Sequence, residues 1–171
     1  MYNMRKVSLI IMSIAAIVLV TSCIIYSFMD ENEKNAAIGD VVKLNDWNIT
    51  VNSMSFEKTI DEYKSVNNTA SEGNIFLVLD ITIKNIGTKK ASFLPWFSFN
   101  KSNAKIIFDD TYEISPTILY YDKDLHNKTL NPLSESNGIL VFEVAQEIEN
   151  SDKPLVTSIT DNSVKIDIKL R

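Results

Sequence analysis

In Val164-Lys165-Ile166-Asp167-Ile168-Lys169-Leu170 apolar and charged side chains alternate without a break, four on one face and three on the other. A period of two is what a pleated strand with one dry and one wet face imposes, whereas a helix would scatter these residues around its surface. The segment therefore predicts a half-buried strand with Val164, Ile166, Ile168 and Leu170 in the core. Leu77, Leu79, Ile81 and Ile83 repeat the pattern, while the opposite face changes from Phe76 and Val78 to Asp80, Thr82 and Lys84. One end of that strand is expected to be buried on both sides. Trp47, Ile49 and Val51 hold one phase and Met54 and Phe56 the other, so an extra residue near Asn52-Ser53 implies a β-bulge.

Further strands are predicted at Val41 to Leu44, Ser92 to Phe99, Lys105 to Phe108, Thr117 to Tyr121 and Ile139 to Val144. Short strands divided by turn-forming residues indicate an all-β fold, a two-sheet sandwich. Asn85-Ile86-Gly87-Thr88 and Asn131-Pro132-Leu133-Ser134 supply the turn chemistry. The run containing Phe93, Trp96, Phe97 and Phe99 is apolar on both faces and reads as a central core strand. Ile60 to Gly73, rich in acids and amides, reads as a mobile polar loop. No internal repeat or low-complexity stalk is present.

Ahead of this domain, Val7 to Met29 form 23 consecutive positions without a charge, after Arg5 and Lys6 and before Asp30, Glu31 and Glu33. A helix of that length reaches roughly 35 Å, enough for a hydrocarbon core of about 30 Å. Basic residues stay on the cytoplasmic side, which places the rest of the chain outside. Val20-Thr21-Ser22-Cys23 also resembles a bacterial lipobox, in which cleavage precedes a lipid-modified Cys23. The apolar run continues through Ile24, Ile25 and Phe28, however, where a lipoprotein usually begins a polar tether. An uncleaved anchor is favoured over the lipoprotein, and an ordinary cleaved signal ranks third. The expected organisation is an anchor or lipoprotein signal over residues 1–29, a tether over 30–37 and the sandwich over 38–171. The expected location is the cell membrane, single-pass or lipid-anchored, with the domain extracytoplasmic.

Cys23 is the single cysteine, so the domain must be stabilised by its core and not by disulfides. Without Arg5 and Lys6, 15 basic residues face 22 acidic ones outside the membrane, a net charge of −7. Such a surface repels nucleic acid and anionic lipid.

The strings IGDVVKLNDWNITVNSMSF, GNIFLVLDITIKNIGTKKASF and LNPLSESNGILVFEV resemble the main segments of a bacterial domain-of-unknown-function family, DUF4352. The resemblance covers about residues 38 to 170 and implies an exported immunoglobulin-like sandwich, often a lipoprotein, of a Gram-positive bacterium. Its motifs are strands and turns, which speak for fold more than for function. The family often has glycine where this chain has Ser134, so a tight positive-φ turn is less expected there. No catalytic residues follow from the resemblance.

The residues themselves offer little chemistry. His126 is the single histidine, too few for a zinc site of the usual composition, and it reads as a solvated loop residue. No Gly-x-Ser-x-Gly elbow and no phosphate-cradling glycine loop occur. Asp109, Asp110, Glu113, Asp122 and Asp124 are the acids that one end of a sandwich would gather, and calcium is the cation such oxygens suit. The EF-hand spacing is absent, so hydrated acidic loops are the plainer expectation, with no cofactor. Tyr112, Tyr120 and Tyr121 flank these acids and suit a recognition surface, though core packing explains strand tyrosines equally well. The expected function is a non-catalytic binding module for an envelope protein, peptide or cell-wall ligand, meeting it through the 109–124 segment. The alternatives are a structural spacer and, behind it, an envelope hydrolase or metal-dependent enzyme.

Overall fold

A computed structural model describes residues 36–60, 68–95, 102–118 and 123–171. The strands are β1 (Ala36–Ala37), β2 (Val41–Leu44), β3 (Trp47–Glu57), β4 (Thr59–Ile60), β5 (Asn68–Thr69), β6 (Asn74–Asn85), β7 (Ala91–Phe93) and β8 (Ser102–Phe108), followed by β9 (Tyr112–Ile114), β10 (Lys128–Leu130), β11 (Glu135–Ala145), β12 (Leu155–Asp161) and β13 (Val164–Lys169). A single 3₁₀ turn, Gln146–Ile148, interrupts the described strands. One sheet runs β11-β6-β3-β2 and the other β1-β13-β12-β8-β9.

Alternation decides which side chains meet between the sheets. Ile49, Val51, Leu77, Leu79, Ile81, Ile83, Leu140 and Phe142 of the first sheet pack on Ile106, Leu155, Ile159, Ile166 and Ile168 of the second, all of them buried. Trp47 closes one end edge-to-face on Phe93, with ring centroids 5.3 Å apart. The expected bulge is present: the β3–β6 register shifts between Val51 and Ser53. The extra residue, Asn52, turns outward and its Nδ2 donates to Asp80 Oδ1 at 2.6 Å and Thr82 Oγ1 at 2.9 Å. Met54 and Phe56 then pack on the core in the new phase.

Phe76 is buried on the outer face of its sheet, as the two-faced pattern predicts, in a second cluster with Ile60, Ala70 and Val141. Its cover is the β4–β5 hairpin, built from part of the segment expected to be a loop. Ile60 and Ala70 carry the apolar surface that docks this hairpin.

Other expectations change. The sheet begins at Ala36, where the tether was expected, because Ala36 and Ala37 pair in parallel with Ile168 and Lys169. Val164 is 43% exposed, since the dry face of β13 starts only at Ile166. Among the described residues the aromatic run does not continue as a central strand: β7 pairs with β10 and ends at Phe93. Leu94 takes φ 42° and Pro95 follows, which breaks the ladder. Trp96, Phe97 and Phe99 lie outside the described residues. Thr117 and Ile118 are not in a ladder, although the Thr117 N–H donates to the Val141 carbonyl at 2.7 Å. The central strand β12 was not foreseen, because Thr157, Ser158 and Thr160 mask its alternation. Positive φ falls on Leu133, at 62°, and not on Ser134, whose N–H closes the turn on the Asn131 carbonyl at 3.1 Å.

Candidate functional site

β8 and β9 form a hairpin whose turn residues, Asp109 and Asp110, have φ 53° and 54°. Aspartate tolerates this left-handed region better than most side chains because it hydrogen-bonds locally. The Thr111 N–H closes the turn on the Phe108 carbonyl at 3.2 Å, and the Asp109 N–H donates to the Pro154 carbonyl at 2.9 Å. The second bond fastens the turn to the loop that carries Lys153.

Lys153 Nζ donates to Asp109 Oδ2 at 2.5 Å and sits 6.0 Å from the centroid of the Phe108 ring. The hydrogen bond to Asp109 raises the ammonium pKa, helped by the charge of Asp109 and then by Tyr112 and Glu147. Phe108 and Tyr112 stand with ring centroids 6.3 Å apart and planes 32° apart. Tyr112 is 60% exposed. Lys105 donates to Glu113. Together Phe108, Tyr112, Glu113, Glu147, Ile148 and Lys153 line a groove of about 430 Å³ at the seam where β9 meets the end of β11.

Two devices hold the seam. The Glu143 N–H donates to Thr117 Oγ1 at 3.0 Å, which brings the chain leaving β9 onto β11. Arg171 donates from Nη2 to the Ile148 carbonyl at 3.0 Å and from Nε to the Lys153 carbonyl at 3.2 Å. A guanidinium is suited to bridging carbonyls of one loop, because its donors diverge in a fixed plane.

Asp124 lies elsewhere. It forms a bridge with Ile139 of β11, and its Oδ1 accepts the His126 N–H at 2.8 Å and faces His126 Nδ1 at 2.6 Å. Gly138 permits this approach, since a Cβ there would stand 2.4 Å from the Lys123 carbonyl oxygen. His126, expected to be solvated, has a side chain only 10% exposed and lines a mainly apolar groove of about 300 Å³ with Leu94, Pro95, Ala104, Pro116 and Ile118. The Asp-x-His spacing, which favours an Asx turn, was the overlooked signal. Ser102 borders the same groove and its hydroxyl donates to Asp161 Oδ1 at 2.6 Å.

The described acids of the 109–124 segment are thus not gathered at one end. Asp109, Asp110 and Glu113 stand at the Phe108 end of β8 and Asp124 near its Ser102 end, about 20 Å away along a strand of this length. Among the described residues no group of three histidine, cysteine or acidic side chains is placed to hold a metal. Tyr120, Tyr121, Asp122 and Cys23 lie outside the described residues. Lys153 and Glu147 were missed because they reach the groove from segments far along the chain, as was Arg171, which braces the loop that carries Lys153.

The model of a family described as a domain of unknown function, DUF4352, matches residues 36–162. An uncharacterized β-sandwich protein from Clostridium difficile 630 superposes with a TM-score of 0.59 at 19% identity, covering 81% of this chain and 94% of that one. The yjhA protein from Bacillus subtilis gives 0.55 at 18% identity, over 80% of this chain and 99% of that one. A conserved hypothetical protein from Bacillus anthracis gives 0.53 at 14% identity, over 78% and 95%. At these identities the likeness is one of fold. No curated protein matches.

Proposed function

The chain belongs to the DUF4352 family of domains of unknown function, and from that premise we propose that it is a membrane-anchored, extracytoplasmic binding module without catalytic machinery. The observation that carries this reading is the seam groove, where an exposed tyrosine and several carboxylates stand on a hairpin fastened to a rigid sandwich. Turns held at both ends by sheets are the usual carriers of recognition. The charge-free run from Val7 to Met29 behind Arg5 and Lys6 supports the anchor and its orientation.

One pairing supports the non-catalytic reading: the Ser102 hydroxyl, beside the single histidine in the mainly apolar groove, donates to Asp161 Oδ1. Calcium has no part in this reading, because among the described residues no group of three histidine, cysteine or acidic side chains is placed to hold a metal. Millimolar calcium is therefore expected to leave the melting temperature unchanged.

The test combines topology with capture. Protease added to protoplasts should digest the sandwich, and a protected domain would overturn the orientation. Mass spectrometry of the mature N-terminus separates an intact anchor from a chain that starts at acylated Cys23. Full-length protein should capture a partner from envelope extract that a Tyr112→Ala, Asp109→Asn, Asp110→Asn variant does not. Identical capture by both rules the surface out.

A further inference from the structure

The chemistry of the ligand can be read from the same groove, an inference that rests on the binding reading above. Four carboxylates surround the groove and its turn, those of Asp109, Asp110, Glu113 and Glu147, against the ammonium groups of Lys105 and Lys153, while the Glu143 carboxylate is engaged by the Ser71 N–H and Asn74. Arg171 turns its guanidinium to loop carbonyls and leaves that balance negative. Glu147 has no hydrogen bond or ion pair among the described residues, and neither has Asp110. The groove already shows what it accepts: the Lys153 ammonium lies between the Asp109 carboxylate and the face of Phe108.

The backbone beside it is also available. β9 is the last strand of its sheet, so among the described residues one edge of Tyr112–Ile114 has no ladder partner. An extended segment laid there gains main-chain hydrogen bonds, and the pockets beside the edge then choose its side chains.

We propose that this groove takes an extended, lysine- or arginine-bearing peptide segment, with its backbone along the open edge of β9 and its cation against Tyr112, Glu113 and Glu147. Tyr112 repeats for the ligand what Phe108 does for Lys153. An acidic segment meets repulsion at the same place, which makes charge the selecting property.

Fluorescence polarisation with the full chain in a nonionic detergent tests this. The probes are a labelled peptide of alternating lysine and threonine and its glutamate–threonine counterpart. The lysine peptide should bind saturably and more weakly as salt rises, and the glutamate peptide should not bind. Glu113→Gln with Glu147→Gln, or Tyr112→Ala alone, should weaken binding by about tenfold or more. Glu135→Gln, at the far end of β11, should change nothing. Glu147→Lys, at a surface position, provides a charge reversal if the double variant melts below wild type. Equal binding of the two peptides, or no effect of the charge variants, overturns the proposal. If the lysine peptide fails while envelope capture still depends on Tyr112, the ligand class is wrong and the surface stands. If neither depends on it, both readings fall.

Discussion

The Asn85 side chain donates from Nδ2 to the Leu130 carbonyl at 3.0 Å while fully buried at the end of β6. The same nitrogen donates to the Lys89 carbonyl at 2.9 Å, and Oδ1 accepts the Gly87 N–H at 2.9 Å. One amide therefore satisfies three backbone groups from two separate turns. Gly87 belongs to this arrangement because a Cβ there would stand 2.7 Å from Asp46 Cγ.

Asn85→Ala leaves those three groups unsatisfied in a dry site, where each costs about 1 to 3 kcal/mol. Partial relaxation brings the expected loss to about 3 kcal/mol, read from urea unfolding midpoints. A loss below about 1 kcal/mol would show that the network carries little of the fold.

β13 offers a graded test within one strand. Ile166 is 2% exposed and Val164 43% exposed, while Lys165 pairs with Asp167 at the surface at 2.8 Å. Ile166→Ala should cost about 2 to 4 kcal/mol, and Val164→Ala and Lys165→Ala each below about 1. Similar losses for all three would mean that the strand phase is misassigned.

The same strand explains what was legible beforehand. Where one face is wet, charges mark it, so β13, β6 and the bulge in β3 could be read from spacing alone. β12 could not, because it lies between two partner strands and its inward and outward positions include hydroxyls that remain buried. The candidate site divides in the same way. Tyr112 and the turn acids were visible as a local cluster, whereas Lys153 joins Asp109 from 44 residues away. His126 misled because its burial depends on Leu94, Pro95 and Pro116, which tertiary structure brings around it.

Thr157 of β12 is fully buried in the core, and its Oγ1 has no hydrogen-bond partner among the described residues. Its cross-strand neighbours are Ile106 and Ile168, which offer no acceptor from their side chains. Thr157→Val replaces the hydroxyl with a methyl of similar shape and removes a desolvated donor. Stability should rise by about 1 kcal/mol in chemical denaturation. A decrease would reveal an ordered water or another acceptor serving that hydroxyl.

Glu143 provides the pH test. Its carboxyl pKa is held below the ordinary value of 4.5, first by a hydrogen bond from the Ser71 side chain, then by the Ser71 N–H and by Asn74. The backbone bond measures 2.7 Å and the Asn74 Nδ2 bond 3.1 Å, and the charge of Lys58 adds to both. These contacts tie β11 to the turn that opens β6. Because the folded value lies below the unfolded one, the unfolded chain binds more protons, and this contribution is complete above the unfolded value. It is lost as pH falls through the folded value. The group is solvent-accessible, so screening keeps the effect small. Glu143→Gln preserves an acceptor and removes the titration. The stability difference between wild type and this variant should be constant near neutral pH and shrink as the solution is taken below about pH 4.5. A difference that stays level into that acid range would show that the charge of Glu143 contributes nothing to the joint between β11 and β6.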